Sequence, residues 1–190
     1  MSTTTDTTAQ LTDLPAAGRW TIDPGHAEVA FIGRHFGLTK VRGRFPGVAG
    51  EVLIGQDIAQ SSVSVEIDMA SVNSGDNTRD NHLRSSDLFD IEHHPRATFV
   101  SRTVVVSGTR GRVTGDLTIK GVTRPVTLEV EYLGGAMDPW GNERAVFSAH
   151  TSINREDWGL TWNMLLETGG LLVSKEIRLE IEVELIRATD

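Results

Sequence analysis

The sequence predicts an all-β fold, an antiparallel barrel of about eight strands with one short lid helix. Three observations predict it. Apolar and polar residues alternate with a period of two in segment after segment. Glycines stand inside several of those segments, where they permit the sharp coiling that closure needs. Only two stretches break the alternation, one of them readable as a short helix. A closed sheet also removes the edges that such apolar-faced strands would otherwise expose. On pattern alone a two-sheet sandwich remains the alternative.

In chain order, Val29, Phe31, Gly33 and His35 share one face of EVAFIGRHF, and Val48, Gly50, Val52 and Ile54 one face of VAGEVLI. In SVSVEIDMA, Val63, Val65, Ile67 and Met69 oppose Ser64, Glu66 and Asp68. Val113, Gly115, Leu117 and Ile119 alternate before GVTRP turns the chain, and Val126, Leu128, Val130 and Tyr132 follow. Ala145, Phe147, Ala149, Thr151 and Ile153 form the next face. Finally Ile177, Leu179, Ile181, Val183 and Leu185 oppose Arg178, Glu180, Glu182 and Glu184, the mark of a sheet wetted on one side. Turn signals separate them: Pro46-Gly47, Gly108, Gly121, Gly134-Gly135 and Pro139.

The first interruption, Asn77 to Phe89, has apolar residues only at Leu83, Leu88 and Phe89, with cap-forming Asn77 and Thr78 at its start. It predicts a lid helix packing those three residues over the barrel opening, with Asp80 and Arg84 paired at i and i+4. The second, Arg155 to Leu166, has helical spacing broken by Gly159, so a loop and a single turn both fit.

Length and composition narrow the function. A chain of 190 residues suits one domain, placed at residues 18–190. The Thr-rich residues 1–17 read as a disordered tail. That start has neither a basic nor an apolar run, so no signal peptide is expected, and a cytoplasmic location is. No segment offers the roughly 20 apolar residues of a membrane span. The absence of cysteine excludes disulfides and thiolate chemistry. A net charge of −8 argues against nucleic acid and against an anionic membrane surface as partner.

His82, His93 and His94 lie among Asp87, Asp90 and Glu92, which suggests a metal site. Zinc needs about four converging ligands, whereas adjacent residues on a strand point to opposite faces, so no metal is assigned. Hydrolase elbows, phosphate loops and metalloprotease motifs are absent, and no catalytic residue is assigned.

Four blocks, WTIDPGHAEVAFIGRHFGLTKVRGRF, NTRDNHLRSSDLFDIEHHPRATFVS, VTGDLTIKGVTRPVTLEV and INREDWGL, resemble, in order, the YceI-like family of polyisoprenoid-binding, lipocalin-like proteins. The resemblance runs from about Arg19 to Arg187. It implies a lipocalin-like barrel closed at one end, whose lumen holds one long isoprenoid or fatty-acyl chain, and a binding rather than a catalytic role. Family members also suggest a homodimer. No cofactor is implied other than a bound polyisoprenoid or prenyl quinone.

The lumen is assigned Val29, Phe31, His35, Val52, Ile54, Val65, Ile67, Leu83, Phe89, Phe99, Leu117, Phe147, Ala149, Trp158, Trp162 and Leu165. Small inward residues (Gly33, Gly50, Gly115 and Ala149) are expected to leave room for the ligand. His35 on an apolar face reads as a core group or a ligand contact. Arg79, Asp80, Arg84, Asn154 and Arg155 are the mouth candidates for a polar head group. For each, structural bracing is the competing role, and Trp20 reads as a plug at one end. Three functions remain: a carrier of an amphipathic long-chain lipid, an enzyme of isoprenoid or acyl chemistry with His35 as its titratable group, and a filled barrel that binds a protein.

Overall fold

The computed structural model describes residues 14–167 and 170–189. They form nine strands, β1 (Gly18–His35), β2 (Thr39–Phe45), β3 (Val48–Ile54), β4 (Ser62–Asp68), β5 (Arg96–Ser107), β6 (Arg110–Ile119), β7 (Val122–Met137), β8 (Glu143–Asn154) and β9 (Glu176–Arg187). All pairings are antiparallel. The β1–β9 pair closes the sheet. β2 pairs with the second half of β1 and β3 with the first, so the two act as one strand kinked at Pro46-Gly47. The result is a closed barrel of eight strand positions, which decides against the sandwich.

Two strands escaped the alternation reading. β2, TKVRGRF, keeps its inward positions as Val41, Gly43 and Phe45. The ring of Phe31 lies over Gly43, its register partner, and a Cβ there would sit 2.1 Å from Cζ. The glycine therefore holds an aromatic ring, and hydrophobicity alone does not show it. β5 has a register shift between Ser101 and Thr103 that breaks its period.

The two barrel ends differ. At one end Trp20, Leu185 and Ala145 are at most 1% exposed, and the Trp20 indole donates to the Ala16 carbonyl, 3.0 Å. Trp20 is thus the expected plug. Arg187 donates to the Ala17 carbonyl, so residues 16 and 17 belong to this end. Leu14 and Pro15 line the small cavity near this end, and residues 1–13 of the proposed tail lie outside the described residues.

At the opposite end stand the β1–β2 hairpin, the single helix α1 (Asn77–Arg84) and the long β8–β9 connection. α1 is capped by Asp76, whose carboxylate accepts from the Arg79 N–H, 2.8 Å, rather than by Asn77 or Thr78. It ends at Arg84, and Leu88 and Phe89 follow in turns, with the Phe89 ring 5.6 Å from that of Phe45. The β8–β9 connection opens with one 3-10 turn, Arg155–Trp158, stopped by Gly159 in the left-handed region (φ 74°).

Candidate functional site

Between these mouth elements the barrel axis is open. A cavity of about 550 Å³ runs inward, its wall almost entirely carbon. Its depth is formed by buried Val29, Phe45, Ile67, Met69, Ala97 and Leu117, with Phe31, Ile119, Ile153, Ile177 and Leu179 beside them. Exposed Arg34, Asp76, Thr78 and Arg79 mark its opening. A volume of this order suits one slim ligand, since pockets for small molecules span roughly 300–1,000 Å³.

The opening is organised by Arg155, which is only 5% exposed. Its guanidinium donates to the carbonyls of Ser174 (2.9 Å), Trp162 (3.0 Å), Leu160 and Val173. Both arms of the β8–β9 connection thus hang from one side chain. Burial pushes the guanidinium below its ordinary pKa, against the pull of Glu156. No carboxylate among the described residues lies within salt-bridge reach of it. Asn163 completes the frame, its amide matching the Val173 N–H and carbonyl at 3.1 and 2.8 Å.

The cavity gathers half of the lumen candidates. Val29, Phe31, His35, Ile67, Leu83, Phe89, Leu117 and Trp162 line it, as do Arg79 and Arg155. Val52, Ile54 and Phe147 instead line a separate space of about 90 Å³ toward the plugged end. Val65, Phe99 and Ala149 line neither. Trp158 is a core residue, 3% exposed, donating to the Leu117 carbonyl at 2.9 Å. Leu165 is 84% exposed and does not line the cavity.

Three mouth candidates have other work. Asp80 is buried and accepts from the N–H and hydroxyl of Ser74, 2.9 and 2.5 Å. Arg84 donates to the Ala70 and Val72 carbonyls, 3.1 and 2.8 Å, so the expected Asp80–Arg84 pair does not form. Asn154 caps the Arg155 turn through the Glu156 N–H. Nor do small residues create the room. A Cβ on Gly50 would strike the Ser64 carbonyl (2.2 Å), and one on Gly115 the ring of Phe99 (2.6 Å). Only Gly33 of that group reaches the cavity.

The sequence reading missed Arg34, Val41, Phe45, Met69, His82, Leu172 and Val173 as lining residues. His82 stacks edge-on against Trp162, centroids 4.3 Å apart, while its Nε2 meets Asp87 at 3.0 Å. His93 pairs with Asp90, which raises the imidazole pKa and lowers the carboxyl's. None of the three clustered histidines joins a possible metal-ligand group among the described residues.

The group that does converge lies at the plugged end: Asp23, His26 and Glu184. Arg144 sits among them, 2.7 Å from Asp23, 2.5 Å from Glu184 and 2.8 Å from Asp138. Arg144 and His26 hold the Asp23 carboxyl down at about 2. Although burial opposes it, hydrogen bonds from Asn142, Arg144 and the Trp140 N–H keep Asp138 low as well. An ion-pair hub closes this end.

Residues 20–185 match the model of the YceI-like domain, and the chain belongs to that family. A UPF0312 protein of Vibrio campbellii is 41% identical over 136 residues, 70% of this chain and 71% of that relative. A UPF0312 protein of Staphylococcus aureus is 34% identical over 170 residues, 87% of this chain and 95% of the relative. Among solved structures, Burkholderia cenocepacia BcnA superposes with TM-score 0.75 at 25% identity, covering 88% of this chain and 99% of BcnA. A polyisoprenoid binding domain from Saccharophagus degradans shares the fold, with TM-score 0.64 at 18% identity over 89% of this chain and 98% of that domain.

Proposed function

We propose that this protein binds one amphipathic long-chain lipid, an isoprenoid tail bearing a polar end group, and makes or breaks no bond on it. The observation that carries this reading is the open-ended carbon-walled chamber of about 550 Å³ with polar groups confined to its rim. Each methylene-sized group taken from water gains roughly 0.8 kcal/mol, so the tail supplies affinity without a motif. The rim supplies orientation. Arg34 and Arg79 are basic, and Asp76 is the lone lining acid. Arg155 adds a buried charge at the rim that has no carboxylate partner among the described residues. An anionic or strongly hydrogen-bonding end group fits that sign. The name borne by the Saccharophagus neighbour supports the same ligand class.

Native mass spectrometry of freshly purified protein, then organic extraction, tests the reading. A stoichiometric prenyl lipid is the expected result, lost in Phe31→Asp, which places a charge in the chamber. Protein that is empty and refuses prenyl and acyl chains alike overturns it.

A further inference from the structure

The chamber's rim carries apolar side chains that stay largely exposed, even Phe36, whose ring meets His35 edge-on at 4.1 Å. Leu38 is 79% and Leu165 84% exposed, with Phe36 at 51% and Met164 at 56%. They come from two segments far apart in sequence that the fold joins. The Phe36 N–H donates to the Leu172 carbonyl (3.0 Å), the Leu172 N–H to the Met164 carbonyl (3.0 Å), and His35 bridges Val173. His35, Leu172 and Val173 line the chamber directly below. The exposed apolar tips therefore continue the chamber wall outward into solvent.

The tip conformation adds a second observation. Phe36 has φ 55°, a left-handed region that is strained for a bulky residue and normally left to Gly or Asn. The strained position carries a half-exposed aromatic ring.

Charge is the third. The rim segments 34–42 and 161–175 contain Arg34, Lys40, Arg42 and Lys175 against the single acid Glu167. Arg42 is matched by Glu28 and Glu180, and Lys175 by Glu156. Arg34 and Lys40 have no carboxylate partner among the described residues. Arg34 instead donates to the Leu38 carbonyl, 3.1 Å. The chain as a whole carries −8 and the α1 side of the mouth sets Asp76 beside Arg79, but charges farther than about 8 Å are largely screened at physiological salt, so Arg34 and Lys40 dominate the charge met at the hairpin.

From these observations we propose that the mouth face docks transiently on a phospholipid bilayer. Leu38 and Leu165 enter the interface, Phe36 and Met164 lie at its level, and Arg34 and Lys40 meet lipid phosphates. The chamber then opens onto the hydrocarbon and its occupant crosses without passing through water. Aromatic and aliphatic tips flanked by bases suit the bilayer interface. The purpose of docking rests on the lipid-binding reading, while the docking itself does not.

The chain has no cysteine, so Leu38→Cys, Leu165→Cys and, on the plugged side, Val105→Cys each accept one NBD fluorophore without background labelling. On addition of phosphatidylethanolamine–phosphatidylglycerol vesicles, the two rim probes should blue-shift and brighten while the Val105 probe stays unchanged. The double substitution Leu38→Asp, Leu165→Asp should weaken vesicle co-sedimentation by about tenfold or more. Both side chains are exposed, so the barrel is retained. Silence of the rim probes, equal response of all three, or a rim shift caused by unlabelled protein without vesicles overturns the proposal; the last would assign the face to a second copy. A prenyl alcohol delivered from detergent micelles separates the two readings. Unchanged loading of the Asp variant leaves the chamber reading intact whatever the vesicles show, and failed loading of the wild type removes that reading alone.

Discussion

The two ends of the barrel are built from the same strands with the same alternation, yet one is solid and the other hollow. At the plugged end the inward side chains of β1, β3, β8 and β9 meet across the axis as Trp20, Ile22, Ile54, Ala145 and Leu185. Outside, one arginine ties three acids. At the mouth the inward side chains line the wall without meeting, and the enclosing segment hangs on a buried arginine through carbonyls. Period-two patterning states which face turns inward. Whether that inward space is filled depends on side-chain volumes across the axis, which no local pattern encodes.

The boundary between the two regimes gives the largest prediction. On β4, Ile67 lines the chamber, Val65 neither space, and Val63 the small cavity; on β6, Leu117, Gly115 and Val113 follow the same order. Phe99 is paired with both Val65 and Leu117, and its ring lies over Gly115. It is the floor. Phe99→Ala should lower stability by about 4 kcal/mol in urea unfolding and, where the barrel still folds, join the two cavities. In native mass spectrometry over a ladder of prenyl alcohols, the longest chain retained should then increase. Lost stability with an unchanged ceiling would place the floor elsewhere.

Arg155→Ala tests the mouth. It releases four carbonyl contacts of one segment, and a loss of about 3 kcal/mol is expected. Hydrogen exchange should accelerate over residues 160–174 while the strands around Trp20 stay protected, and Arg155→Lys should restore part of the protection. Uniform loss across the barrel would make the arginine a general core element. No change would show that the rim stands by itself.

The strands with clean alternation, β4 and β9 above all, are legible because one face meets water and the other does not. β2 is hidden by Gly43, whose inward partner is an aromatic from the next strand, and β5 by its bulge. Glycines inside the strands already favour closure into a barrel over the sandwich that alternation alone also allows, and the family likeness implies the same barrel. Residues on early strands, such as Val29 and Phe31, fall on the chamber wall for the same reason that the strands are legible. The charged candidates divide differently. Asp80, Arg84 and Asn154 have chemistry suited to a head group, but their hydrogen bonds go to backbone brought near by the fold. Arg34 lies near the end of β1 and His82 on α1, and the packing of the mouth elements that brings both to the chamber has no sequence period.

The smallest expected effect belongs to the plugged end and runs with pH. Asp23 is held near 2, against an ordinary 3.8, by Arg144 and His26. A carboxyl whose pKa is depressed on folding stabilises fully above its unfolded value and progressively less as pH falls toward the folded one. The contribution of the Arg144 hub should therefore be intact at pH 7 and fade between about pH 4 and pH 2. Arg144→Gln removes the partner, so its urea midpoint should start lower at pH 7 and fall less steeply through that window than that of the wild type. Because the hub lies on the outer surface at the end away from the chamber, lipid loading at pH 7 should be unchanged. Parallel pH profiles would show that acid acts through other carboxylates. Impaired loading would show that the two ends are coupled, so that a filled end helps hold the hollow one open.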